Sequence, residues 1–243
     1  MIPLSDDNPS HSTPFVTVSA IAACTLVFLY QASLPEQTGE AFVYQYGAIP
    51  AAVTGRAGLP PELAALPGYT SLFTSMFLHG GWMHLIGNMM YLWIFGNNVE
   101  DAMGHARFAV FYLLSGVLAA YSHILTDPAS TVPMVGASGA ISGVLGAYLL
   151  LYPHAQVLVF IPFGFLSRTA HVPAWIVLGL WFVMQVFSGG ASLGSKGGGV
   201  AFFAHIGGFV AGMALIVLFK RKDVPLFAPA HQDGFEITHH RRW

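Results

Sequence analysis

Six apolar runs punctuate the chain, at approximately 14–34, 81–99, 106–125, 137–152, 172–188 and 201–219. A helix needs about 20 predominantly apolar residues to cross the hydrocarbon of a bilayer, and these runs are of that order. The fold this predicts is all-α, a polytopic bundle of six transmembrane helices with lipid as its solvent. Composition agrees, since only 8% of residues are charged where a soluble domain carries about 25%. A formal net charge of -2 offers no basic field for nucleic acid, so that partner is excluded. Cys24 is the sole cysteine, and no internal disulfide can form.

Three regions follow. Residues 1–13 carry two aspartates and no Lys or Arg, unlike the basic start of a secretory signal, and read as a short cytoplasmic segment. Residues 14–219 form the six-helix membrane domain. Residues 220–243 are polar and interrupted by proline, the pattern of a loosely ordered cytoplasmic tail. Orientation comes from Lys and Arg, which are enriched in cytoplasmic loops. An inside N terminus puts seven of them (Arg107, Arg168, Lys220, Arg221, Lys222, Arg241, Arg242) on the inside and two, Arg56 and Lys196, outside. Both termini are then cytoplasmic, and the second, fourth and sixth segments run inward from the outer face. The first outer loop, 35–80, mixes apolar residues with proline and glycine and is expected to lie partly in the interface. The last, 188–199, is glycine-rich and reads as a mobile cap.

The fourth segment opens with VGASG at 135–139 and stops before Pro153. Its helix is expected to run from near Ser138 to near Tyr152; at 1.5 Å per residue that spans about 22 Å of roughly 30 Å of hydrocarbon, so Ser138 sits on the order of 8 Å below the outer boundary, beside a water-filled dent. Small residues at Gly136, Gly139, Ala140, Gly143 and Ala147 suit close helix packing, and packing alone accounts for much of this stretch. The topology adds depth: His205 on the sixth segment, and His84 and Asn88 one turn apart on the second, fall in the same layer as Ser138. An ionisable group inside a spanning helix is a functional candidate. Serine nucleophilic catalysis needs a base within hydrogen-bond reach and donors for an oxyanion. Ser138 and His205 supply the first; the Ser138 N–H, Asn88 and His84 supply the second. None of the eleven carboxylates falls in this layer, so a dyad is expected rather than a triad.

The motifs GASG (136–139), AHIGGFVAG (204–212) and HLIGN (84–88), in this order and on these segments, resemble the rhomboid family of intramembrane serine proteases. The similarity covers most of residues 14–219. It implies a six-helix protease, in a bacterial inner membrane, that cleaves transmembrane protein substrates, with Ser138 as nucleophile and His205 as general base. It further implies oxyanion stabilisation by His84, Asn88 and Ser138, and Gly136, Ala137, Gly139 and Gly208 lining the substrate pocket and packing the helices. Glu100 resembles the family's structural acid. Ser142 departs from members with an aromatic at that position against the histidine, and no Trp-Arg pair stands in the first outer loop.

Three other readings compete with this one. An inactive rhomboid-like binder or chaperone shares the fold, but such relatives typically lack the serine or the histidine. A metal site at His79, His84 and His205 has no HExxH and no helical carboxylate, so neither metal nor other cofactor is expected. A small transporter predicts repeated halves, which are absent from the sequence. Substrate is expected to reach the site beside segment 172–188, on the reasoning that this segment carries no polar residue of the layer and moves freely.

Overall fold

The computed structural model describes residues 1–64, 66–192 and 200–229. Most of the 188–199 loop read as a cap, and the tail beyond 229, lie outside the described residues. Nine α-helical elements are described: α1 (Phe15–Ser33), α2 (Glu36–Tyr46), α3 (Pro50–Val53), α4 (Ser71–Thr74), α5 (Trp82–Met103), α6 (His105–Ile124), α7 (Ser138–Leu151), α8 (Ala174–Ser192) and α9 (Phe202–Phe219). Six of them, α1 and α5 to α9, stand where the apolar runs place spanning segments. By length and composition, α1, α6, α8 and α9 suffice to cross a membrane. The 14-residue α7 is too short for that. The 22-residue α5 is long enough, but its far end carries Asn97, Asn98, Glu100 and Asp101.

Helix α7 forms the centre of the bundle. Every residue from Gly139 to Tyr148 is buried, which is what a helix apolar on all sides requires. It packs most closely on α9. A Cβ at Gly208 would fall on the carbonyl oxygen of Gly139, and one at Gly212 on that of Gly143. The small-residue spacing on both helices therefore brings backbone against backbone. Substitution of Gly208 by alanine is expected to cost about 1–3 kcal/mol through overpacking, lowering the thermal unfolding midpoint in detergent. Gly179 on α8 has open space where a Cβ would go, and Gly179→Ala should not lower that midpoint.

Both ends of the described chain meet at one end of the bundle. Glu100, fully buried, accepts the N–H groups of Val16 and Thr17 and the Thr17 hydroxyl at 2.7–2.9 Å, so it caps the start of α1. His105 Nδ1 lies 2.6 Å from the same carboxylate. Asp101 accepts the His11 N–H at 3.1 Å and the Ser12 hydroxyl at 2.6 Å, and the Arg221 N–H donates to the Ala102 carbonyl at 2.9 Å.

A three-stranded antiparallel sheet, absent from the sequence reading, covers this end. Its order is β1 (Ile2–Asp6), β2 (Gln156–Ile161), β3 (Arg168–Pro173), with Ile2 opposite Phe160 and Val157 opposite Val172. The N-terminal residues are thus paired to the loop between α7 and α8. The Tyr148 hydroxyl donates to the Asp6 carboxylate. Burial pushes the Asp6 carboxyl up from 3.8 to about 7, against the lowering effect of that bond. A raised acid favours its protonated form in the folded state. Its contribution to stability is fully present below pH 3.8 and is lost as pH rises through about 7. Asp6→Asn should therefore leave the unfolding midpoint unchanged near pH 4 and raise it at pH 8, measured by thermal denaturation at both pH values.

At the opposite end, residues 35–80 fold against the bundle as α2, α3, α4 and two short 3-10 turns. The Ala51 N–H donates to Ser130 O at 2.9 Å, and Ala48 and Met134 exchange both backbone bonds. Leu72, Ala48 and Ile124 form a small apolar cluster beneath them.

Candidate active site

Ser138 is the first residue of α7, and its backbone N–H belongs to the first turn, where amides lack helical partners. The approach to the helix is set by Gly136, whose φ of +124° suits glycine and whose N–H donates to Ser75 O at 2.9 Å. A side chain at 136 would also strike His84, since an added Cβ would lie 2.7 Å from its Cε1 and 2.8 Å from its Nε2. The VGASG stretch is thus shaped to bring backbone against the second spanning helix and to point a serine inward.

His205 lies in the first turn of α9, and its Nε2 is 2.8 Å from Ser138 Oγ. Close packing of α7 on α9 holds the pair at this distance. On α5, His84 Nδ1 accepts the Gly80 N–H at 3.3 Å, which leaves the ring proton on Nε2, the nitrogen facing Gly136. One turn further on, Asn88 is 8% exposed and its Nδ2 has no hydrogen-bond partner. That amide also faces Gly136, 3.7 Å from where a Cβ would be. Two N–H donors therefore converge on Gly136, two residues before the serine. Among buried polar groups an unpaired amide is unusual.

The remaining expected positions divide. Ala137 is fully buried, and Gly139 and Gly208 face each other across α7 and α9, so all three serve packing. His79 is buried beside His84, ring centroids 5.2 Å apart, with both ring nitrogens unpaired. Ser142 donates to the Ser138 carbonyl at 2.6 Å. No group of three or more potential metal ligands occurs among the described residues.

One expectation is corrected. Segment 172–188 was read as free of polar residues in this layer, yet Gln185 on α8 places its Oε1 2.8 Å from His205 Nδ1. Trp181, one turn earlier, lies over the same imidazole with ring centroids 5.9 Å apart and planes tilted by 35°. The aromatic missing at position 142 is thus supplied from another helix. Trp181 and Gln185 share a face at i, i+4 spacing, and that face was the available signal in the sequence.

The Rhomboid domain family model matches residues 67–222, more than half of the chain. Over 150 residues the chain is 31% identical to Rhomboid protein 1, mitochondrial, of Saccharomyces cerevisiae, covering 59% of this chain and 40% of that protein. It is 39% identical over 88 residues to Rhomboid protease GluP of Bacillus subtilis, covering 36% and 17%. A third relative, Rhomboid-like protein 11, chloroplastic, of Arabidopsis thaliana, is 30% identical over 159 residues, covering 64% and 54%. The matched stretches thus span 17–54% of these relatives' lengths. With its apolar helical bundle and a family model matched across the segments that carry its three motifs, the chain belongs to the rhomboid family, integral membrane proteins that include serine proteases.

Proposed function

We infer that this protein is an intramembrane serine endopeptidase that hydrolyses peptide bonds in or near transmembrane segments of other proteins. The observation that carries the reading is the 2.8 Å approach of Ser138 Oγ to His205 Nε2 between two helices packed backbone to backbone. Ser138 Oγ attacks the scissile carbonyl carbon while its proton passes to His205 Nε2. The resulting oxyanion is met by the Asn88 amide, His84 Nε2–H and the Ser138 N–H. Collapse breaks the C–N bond, and His205 returns the proton to the leaving amine. Water then attacks the acyl-enzyme, giving its proton to His205, and Ser138 is regenerated as the acid departs. The bare backbone of Gly136 lets His84 and Asn88 approach the start of α7, since a Cβ there would meet the His84 ring.

The Lys and Arg distribution supports a plasma-membrane orientation with both termini cytoplasmic. Arg107, Arg168 and Arg221 all belong to the end built by the sheet and the α5–α6 junction, opposite the dyad. The test is cleavage of a single-span reporter by the purified protein in detergent, with product masses locating the cut. Cleavage in or beside the span is expected. An intact reporter that copurifies with the protein would instead identify a binder.

A further inference from the structure

We propose that Gln185 is a positioning residue: its Oε1 accepts the Nδ1–H of His205 and so fixes the tautomer whose Nε2 is free to take the Ser138 proton. The proposal rests on the dyad reading above. A neutral imidazole carries its proton on one nitrogen, and the partner of the other decides which. If Gln185 turned its amide N–H toward Nδ1, the proton would sit on Nε2 and would point at the serine, leaving no acceptor for the hydroxyl. The carbonyl end toward Nδ1 is the arrangement that makes the 2.8 Å Ser138 contact productive. Among the described residues no Asp or Glu bonds to His205, so a neutral amide fills the place that a carboxylate holds in a Ser-His-Asp site.

The second support is the helix that carries it. In α8 only Ala174, Val177, Leu178 and Gly189 are buried among the described residues, while Val183, Met184, Val186 and Phe187 are exposed. Its side facing α9 presents Trp181 and Gln185 to His205 and Phe182 to Phe209, the last two rings stacked at 4.6 Å. The outer half of α8 therefore meets α9 through Trp181, Phe182, Gln185 and Gly189, and two of these four touch the base. Displacing it to admit a substrate helix would part Gln185 from His205, and the base is aligned only when α8 is seated. Nothing in the alternative, a merely structural Gln185, requires an oxygen acceptor at this position.

The experiment measures kcat and KM of the full chain on the single-span reporter for Gln185→Ala, Gln185→Met and Gln185→Glu, with Ser138→Ala alongside. Met and Glu keep the length of the side chain, and only Glu keeps an oxygen acceptor. Losing a hydrogen bond to a group that becomes charged in the transition state should lower kcat about tenfold to a hundredfold in the Ala and Met variants, with KM within about twofold. Gln185→Glu should stay within about threefold of the parent, since a carboxyl oxygen accepts in either protonation state. A Met variant with the parent's kcat, or a Glu variant as slow as Met, overturns the positioning role. Where Gln185→Ala fails to fold, the Met and Glu pair decides alone. A Ser138→Ala protein that still cleaves overturns the dyad reading, and this proposal with it. When Ser138→Ala is inactive, the Gln185 series judges positioning separately.

Discussion

Replacing Ser138 with alanine is expected to abolish reporter cleavage, and replacing His205 with alanine to do nearly the same. The two groups act as a unit, so losing either removes the covalent route entirely, a loss of roughly a millionfold in kcat. No neighbour rescues it, because the Ser142 hydroxyl is committed to the Ser138 carbonyl one turn away. The fold is spared. Ser138 begins α7 without a side-chain cap, and its removed Oγ contacts His205 rather than the packed face of the helix. Thermal unfolding of Ser138→Ala should match that of the parent, and a normal midpoint with no product identifies a chemical defect. Equal turnover by the alanine variant would remove Ser138 from the reaction.

Asn88→Ala is expected to lower kcat by about a hundredfold to a thousandfold, the usual cost of removing one oxyanion donor. Its Nδ2 is buried and unpaired, so it makes no bond that contributes to the folded state and would find its partner only when charge develops on the substrate oxygen. KM should stay nearly constant for the same reason. Asn88→Asp should be at least as slow as Asn88→Ala, because a carboxylate opposes the oxyanion instead of donating to it. A change confined to KM would assign Asn88 to docking the substrate.

How much of this was legible in the sequence depends on the distance over which each feature acts. The six helices are local, written as apolar runs whose observed ends fall within a few residues of expectation, except that α5 continues to Met103 and α8 to Ser192. The pairing of Ser138 with His205 spans 67 positions, yet glycine spacing on both helices and a shared depth in the bilayer brought them together. The sheet was illegible because β2 and β3 are six residues each, lying between two spanning segments. Their partner β1 sits in the short N-terminal segment, which carries two aspartates and two prolines and shows no alternation that marks a strand. Gln185 was missed for another reason. A single amide in WFVMQVFS belongs to no motif, and its partner lies 20 residues on, beyond a glycine-rich loop. An amide oxygen presents the same acceptor as a carboxylate but carries no charge to mark it in the sequence.

The central claim is that Ser138 is an activated nucleophile, and one measurement reaches it without any knowledge of the natural substrate. The full chain in detergent is treated with a fluorophosphonate, digested, and mapped by mass spectrometry. A single adduct is expected on Ser138, formed in the parent, absent in Ser138→Ala and lost in His205→Ala while that variant remains folded. No adduct in the folded parent, or one on another serine that persists in His205→Ala, would contradict it.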